Sequence, residues 1–147
     1  MKHQARIAVA AAALLSISAH AGPYGDDLSK CLVDSSTKDD RAALVRWMFA
    51  AAAAHPAVSS IASVTPEAMD QANKTTGTLF MKLLTVSCRD KASKALSYEG
   101  PATMQLSFQV LGQVAASELF SSPEVKQSMA GLQKYVDADK LKALTAK

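Results

Sequence analysis

The sequence predicts an all-α fold, a single compact bundle of about five helices held by one disulfide. Apolar residues recur at spacings of three and four through most of the 147-residue chain, and no long stretch alternates apolar and polar residues as a strand would. Hydroxyl or acidic residues that cap helices precede several of these stretches. The chain has two cysteines, Cys31 and Cys88, which can form one bridge between helices.

The first 21 residues have the three parts of a secretory signal peptide. Lys2 and Arg6 carry positive charge, residues 7–17 form an uncharged apolar run, and Ala19 and Ala21 supply the small residues of a cleavage site. The apolar run has 11 residues, whereas a membrane-spanning helix needs about 20. We therefore expect cleavage near Ala21, a helical domain over 22–147 that does not span a membrane, and a periplasmic or secreted location.

An exported chain folds in an oxidising compartment, so a disulfide between Cys31 and Cys88 is the expected state of the two thiols. A zinc site or a nucleophilic thiol would be the alternatives. His55 is the one histidine after Ala21, and a zinc site needs four ligands drawn mostly from Cys and His. We predict the bridge, and no metal site.

The first two helices start at acidic or hydroxyl residues. Asp26 or Asp27 can start a first helix that points Cys31 inward. Thr37 and Asp40 form a capping-box pattern, which predicts a second helix from Lys38 to His55, ended by Pro56. Apart from Arg46, residues 44–54 are apolar on every side of this helix, so we expect Trp47, Met48 and the alanines 50–54 at the centre of the bundle.

Two arginines of the second helix should differ in environment. Arg41 lies beside the acidic helix start, where we expect it to be exposed. Arg46 interrupts the apolar stretch, so it must find a partner or reach water along its aliphatic stem.

Pro-containing starts define the later helices. Thr65-Pro66-Glu67 predicts a third helix that carries Cys88 near its end, and Gly100-Pro101 separates it from a fourth. Ser122-Pro123-Glu124 starts a fifth helix with an apolar stripe of Val125, Met129, Leu132 and Val136, and Asp137 caps a short tail. The bases Lys82, Arg89, Lys91 and Lys94 of the third helix form a solvated face or, alternatively, a docking patch for an acidic partner.

No pattern of residues predicts catalysis, and no cofactor is expected. His55 precedes Pro56 at the end of the second helix, where capping the helix carbonyls is its expected role. Loss of Lys2 and Arg6 with the signal peptide leaves 14 bases against 13 acids, a net charge of +1. Nucleic acid is then a poor partner, because such binding needs clustered phosphate contacts from Lys and Arg.

The stretches Cys31-Leu32-Val33, Asp40-Arg41, Leu44-Val45-Arg46-Trp47 and His55-Pro56 resemble a group of uncharacterised exported proteins of Gram-negative bacteria. The resemblance covers the first third of the chain after Ala21 and implies no activity. In architecture alone, the predicted domain is similar to the periplasmic immunity proteins that neutralise type VI amidase effectors, which are small, exported, helical and disulfide-containing.

These observations favour a non-catalytic protein that binds another periplasmic or secreted protein, as an inhibitor, immunity protein or adaptor. Its first candidate binding residues are Tyr135 and Lys134, which lie off the apolar stripe of the fifth helix. Packing of Tyr135 on a neighbouring helix is the alternative. A second hypothesis is a carrier of an apolar ligand or lipid, with a cavity lined by Met48, Phe49, Met69, Phe80, Met104 and Phe108.

Overall fold

The computed structural model describes residues 22–144, which fold into helices without any strand. The predicted signal peptide, residues 1–21, lies outside the described residues. The eight α-helices within 22–144 are α1 (Pro23–Ser35), α2 (Lys38–Ala52), α3 (Pro56–Ser59), α4 (Pro66–Lys82), α5 (Arg89–Glu99), α6 (Ala102–Ser121), α7 (Pro123–Ala130) and α8 (Ala138–Ala143). A π-helical turn, Leu83–Ser87, joins α4 to α5, and a 3₁₀ turn, Gly131–Tyr135, follows α7.

The all-α prediction is confirmed, but the bundle has more helices than the predicted five. The third predicted helix is two helices, because the chain leaves helical geometry at Cys88, where φ is −119° and ψ is 23°. The other two additional helices are short: α3 occupies part of the segment after Pro56, and α8 forms the tail capped by Asp137.

The core lies where α1 crosses α5 and α6 and where α2 packs on α4 and α6. Its fully buried large side chains are Leu28, Leu32, Leu83 and Leu111. Leucines at positions 28 and 32 are one turn apart, so a single face of α1 enters the core. Burial of this kind stabilises a domain by roughly 1.5–3 kcal/mol per large side chain.

The predicted disulfide is confirmed. Cys31 of α1 is bonded to Cys88, with the two Cα atoms 5.9 Å apart. Cys88 is 2% exposed and lies between the π-helical turn and α5. Its backbone N–H donates to the Leu83 carbonyl oxygen, 2.8 Å away, across that turn. The bridge therefore fixes α1 to the junction at which the chain passes from α4 into α5.

The predicted start of α1 at Asp26 or Asp27 is wrong. The helix begins at Pro23, and its N-cap residue Gly22 has no side chain to accept the first N–H groups. The carboxylate of Glu99, the last residue of α5, accepts them instead, from Tyr24 N at 2.8 Å and from Gly25 N at 2.9 Å. A side chain distant in sequence thus replaces the local cap, which is why the local pattern misplaced the helix start.

The other predicted helix starts are confirmed. Thr37 and Asp40 form a reciprocal capping box at the start of α2. Thr65 accepts from Ala68 N at the start of α4, and Ser122 accepts from Val125 N at the start of α7. Each of these caps uses atoms three residues apart, so sequence spacing alone determines it.

The predicted burial of α2 is wrong. Only Leu44 is buried within the helix, Ala53 is buried just after it, Trp47 and Met48 are half-buried, and Phe49 is 57% exposed. The helix packs on α4 along one side and on α6 along the other. Its remaining side faces solvent despite its apolar composition.

Acids of the first helices pair with bases of the later ones. Lys91 Nζ lies 2.7 Å from Asp27 Oδ2, and Lys82 Nζ lies 3.5 Å from Asp40 Oδ2. The hydrogen bond and charge of Lys91 hold the pKa of Asp27 below its usual value. Two of the four bases of the predicted basic face are therefore engaged with the bundle itself, which weakens the docking-patch alternative for that face.

Arg41 is less exposed than expected, whereas Arg46 reaches water, which is one of the two environments expected for it. Arg41 Nε donates to Glu118 Oε1 at 2.8 Å, and its Nη1 donates to the buried Ser36 carbonyl oxygen at 2.6 Å. The Arg41 side chain is only 18% exposed. Arg46 is exposed and has no bonding partner within residues 22–144.

We expect Arg41→Ala to lower the free energy of unfolding by about 1–3 kcal/mol, because it removes charge-assisted hydrogen bonds and leaves the Ser36 carbonyl without this donor. Arg46→Ala should change it by less than about 0.5 kcal/mol, as is usual for an exposed side chain. Urea denaturation of both variants measures the difference. Equal midpoints for the two variants would contradict the assignment.

Candidate functional site

One end of the bundle carries an apolar groove between α2 and α4. We call it the α2–α4 groove; its volume is about 550 Å³. Its walls are formed by α2 from Ala43 onward, by the segment that includes α3, and by α4 as far as Thr75. Its lining residues are Ala43, Arg46, Phe49, Ala50, Ala53, Val58, Ala62, Val64, Ala68, Gln71, Ala72 and Thr75.

The groove exists because small side chains face each other across α2 and α4. Ala43 and Ala50 of α2, which lie two turns apart, line the same groove as Ala68 and Ala72 of α4. Alanine leaves space above the backbone that a leucine would fill. Of the alanines 50–54 that the sequence pattern placed at the bundle centre, Ala50 and Ala53 line this groove, and Ala53 is buried at its base.

A second apolar groove, the α6–α7 groove, lies on the other side of Phe49. Its volume is about 520 Å³. Its lining residues come from the ends of α2 and α6 and from α7: Phe49, Leu119, Phe120, Glu124, Val125, Ser128 and Met129. Phe120 is 52% exposed and Met129 is 59% exposed, so this groove also presents large apolar side chains to solvent.

Phe49 is shared by the two grooves and forms the ridge between them. A phenylalanine that is more than half exposed between apolar walls leaves a large apolar area in water. Contiguous exposed apolar surface of this kind typically marks a binding site in a folded protein. Phe49 is accordingly the central residue of the candidate site.

Arg46 lies one turn before Phe49 on α2 and places a positive charge beside the ridge. It lines the α2–α4 groove and also a smaller depression of about 270 Å³ next to α6, whose lining includes Lys38 and Glu118. The guanidinium has no carboxylate partner within residues 22–144. A charged group of this kind favours a negatively charged group on whatever covers the grooves.

The segment around α3 forms one wall of the α2–α4 groove. His55 Nδ1 accepts a hydrogen bond from Ala57 N at 3.2 Å and so caps the start of α3. The expectation that His55 would cap the end of α2 is wrong, because its ring bonds to an N–H group after it and not to the carbonyl groups before it. Val58, in the helix that His55 caps, lines the groove.

The predicted stripe of the fifth helix does not pack on the bundle. Beyond Val125, its residues Met129, Leu132 and Val136 are 59%, 69% and 46% exposed, since α7 ends at Ala130 and a 3₁₀ turn follows. Tyr135 is 87% exposed, so the alternative that it packs on a neighbouring helix is wrong. Neither Tyr135 nor Lys134 lines either groove, so their role in binding stays a prediction.

The six residues predicted to line a ligand cavity are not brought together. Phe80 contacts Phe108, with ring centroids 4.2 Å apart, and Trp47 meets Phe80 edge-on. Phe80, Phe108 and Met104 pack against the buried core. Among the six, Phe49 alone lines the α2–α4 groove.

The part of the chain between 22 and 144 holds no group of three or more His, Cys, Asp or Glu residues arranged to bind a metal ion. No helix in this part combines the length and the apolar character needed to cross a bilayer. Neither observation identifies a reaction or a location.

Sequence reasoning did not single out Phe49 as a surface residue, although it is followed by five alanines, 50–54. Such a run of small residues can leave a neighbouring large side chain uncovered. It was the one feature of the sequence that could have indicated an exposed Phe49. Comparison with models of protein families, with curated proteins and with solved structures gave no match, so any inference about function depends on this surface alone.

Proposed function

We propose that this chain is a small protein-binding module of the inhibitor, immunity or adaptor type, which binds another exported protein through the surface around Phe49. The observation that carries the proposal is the exposed Phe49 ridge between two apolar grooves. Interfaces depend on a few large anchors seated among apolar walls, and aromatic and arginine side chains are the commonest anchors. Phe49 and Arg46 supply one of each on adjacent turns of α2.

The occupant that we propose is an amphipathic helix of the partner protein. Grooves beside a helix rich in alanine allow the backbone of another helix to approach closely, and such helices insert side chains at spacings of three and four. Arg46 favours a helix with a carboxylate near its apolar side chains, because the guanidinium can bond a carboxylate through two parallel N–H groups.

A carrier of an apolar ligand or lipid is the second candidate. The volume of the α2–α4 groove, about 550 Å³, falls in the range typical of small-molecule sites, and Arg46 could bind an acidic head group. Ligand sites usually enclose most of the ligand. Here Phe49, Val64 and Ala68 on the walls are themselves exposed, which favours a macromolecular partner.

Photo-crosslinking tests the occupant directly. We expect p-benzoylphenylalanine at position 49 to form, in intact cells that export the protein, an adduct with one protein. Mass spectrometry should locate the crosslink in a helical segment with apolar residues three and four apart and an acidic residue within one turn. Position 81 is the matched control, because Met81 on α4 is 59% exposed but lines neither groove.

A lipid adduct at position 49 would contradict the protein-binding proposal in favour of the carrier. Equal adducts at positions 49 and 81 would contradict any specific site at Phe49.

A further inference from the structure

The start of α1 is built around a single carboxylate. Glu99 Oε1 and Oε2 accept the N–H groups of Tyr24 and Gly25, and Thr103 Oγ1 donates to Oε2 at 3.2 Å. Stacking of Tyr24 on Tyr98, with ring centroids 4.7 Å apart, holds α5 against the same helix start. All three donors are neutral, so Glu99 faces the partial positive charge of the α1 N-terminus but has no formal cationic partner among residues 22–144.

Gly22 lies directly against this carboxylate. A Cβ atom at position 22 would overlap Glu99 Oε1 and would lie 2.6 Å from its Cδ. Any other residue there would displace the carboxylate. By standard bond lengths the Gly22 nitrogen then lies within about 5 Å of Cδ. No Lys, Arg or His from 22–144 pairs with Glu99.

The predicted cleavage site falls directly before this glycine. Hydrolysis of the bond between Ala21 and Gly22 consumes one water, leaves a carboxylate on Ala21, and converts the neutral amide nitrogen of Gly22 into a primary ammonium group. That group carries a positive charge and three N–H donors at pH 7. It forms beside the carboxylate that has no cationic partner.

We propose that Glu99 is a preformed site for an ammonium group, and that its ligand is the α-amino group that signal-peptide cleavage creates on Gly22. The ion pair forms only after cleavage. It therefore stabilises the packing of α1 on α5 and α6 in the exported protein and not in its precursor. The proposal depends on the predicted cleavage after Ala21 and is independent of the proposed binding function.

The test compares the effect of acetylating the α-amino group in the wild type with its effect in Glu99→Gln. Both proteins are exported as full chains and purified from the periplasm. Their intact masses must first show Gly22 as the N-terminal residue. We expect selective acetylation of the α-amino group to lower the folding equilibrium constant of the wild type at least fivefold. In Glu99→Gln, whose amide oxygen still accepts an N–H group, acetylation should change it less than twofold.

Equal effects of acetylation in the two proteins would overturn the proposal, and so would an N-terminus other than Gly22. A second measurement does not require the variant to fold. The α-amino group of the native wild type should react with the acetylating reagent at least fivefold more slowly than that of the unfolded chain, because ion pairing keeps it protonated. Equal rates would also overturn the proposal.

Discussion

Replacing both Cys31 and Cys88 by serine should lower the free energy of unfolding by about 4 kcal/mol, the largest stability effect that we expect from any simple change. The bridge closes a segment with a sequence separation of 57 residues, and in the chain-entropy model its main effect is to restrict the unfolded chain. The net stability of a small domain is only about 5–15 kcal/mol. Urea denaturation of the double variant measures the loss.

The reduced wild type is the control for this result, because it loses the same covalent link without a change of side chains. It should unfold at nearly the same urea concentration as the double serine variant. A loss below about 1 kcal/mol in both proteins would show that the core around Leu28, Leu32 and Leu83 holds α1 without the bridge.

Phe49→Asp should weaken the affinity for the protein partner by at least about 30-fold, which corresponds to the 2 kcal/mol or more that defines a central interface residue. The carboxylate introduced at position 49 would lose its hydration in an apolar interface, and the aromatic ring that anchors the partner would be absent. Stability should change little, because the side chain is already 57% exposed. The dissociation constant and the melting temperature are the two quantities to measure.

Met81→Asp is the matched control. Met81 is exposed to the same extent as Phe49, at 59% against 57%, but lies outside both grooves. We expect its affinity to equal that of the wild type. If the two variants bind equally well, the partner does not contact the Phe49 ridge.

The helix starts at Thr37, Thr65, Ser122 and Asp137 could be predicted because each cap involves atoms only two or three residues apart. The disulfide could be predicted from its expected compartment and from there being only two cysteines. In both cases the physical cause is contained in the local sequence or in the composition.

The start of α1 and the exposure of α2 could not be predicted because both depend on contacts between distant segments. Glu99 caps a helix 74 and 75 residues away in sequence. The distribution of apolar residues along a helix is the same whether neighbouring helices cover three of its sides or two. The sequence of α2 therefore could not show that Phe49 is exposed. Ala50, which the apolar pattern places at a crowded centre, lines the α2–α4 groove instead.

The central claim is that the surface around Phe49 binds another protein without changing it chemically. Titration calorimetry of the exported, purified protein against the crosslinked partner tests this most directly. We predict saturation at one partner per chain, with the partner recovered at its original mass. Two results together would show turnover and contradict the claim. Heat would continue to be released after one equivalent has been added, and the partner, or a lipid or cell-wall fragment, would be recovered with an altered mass.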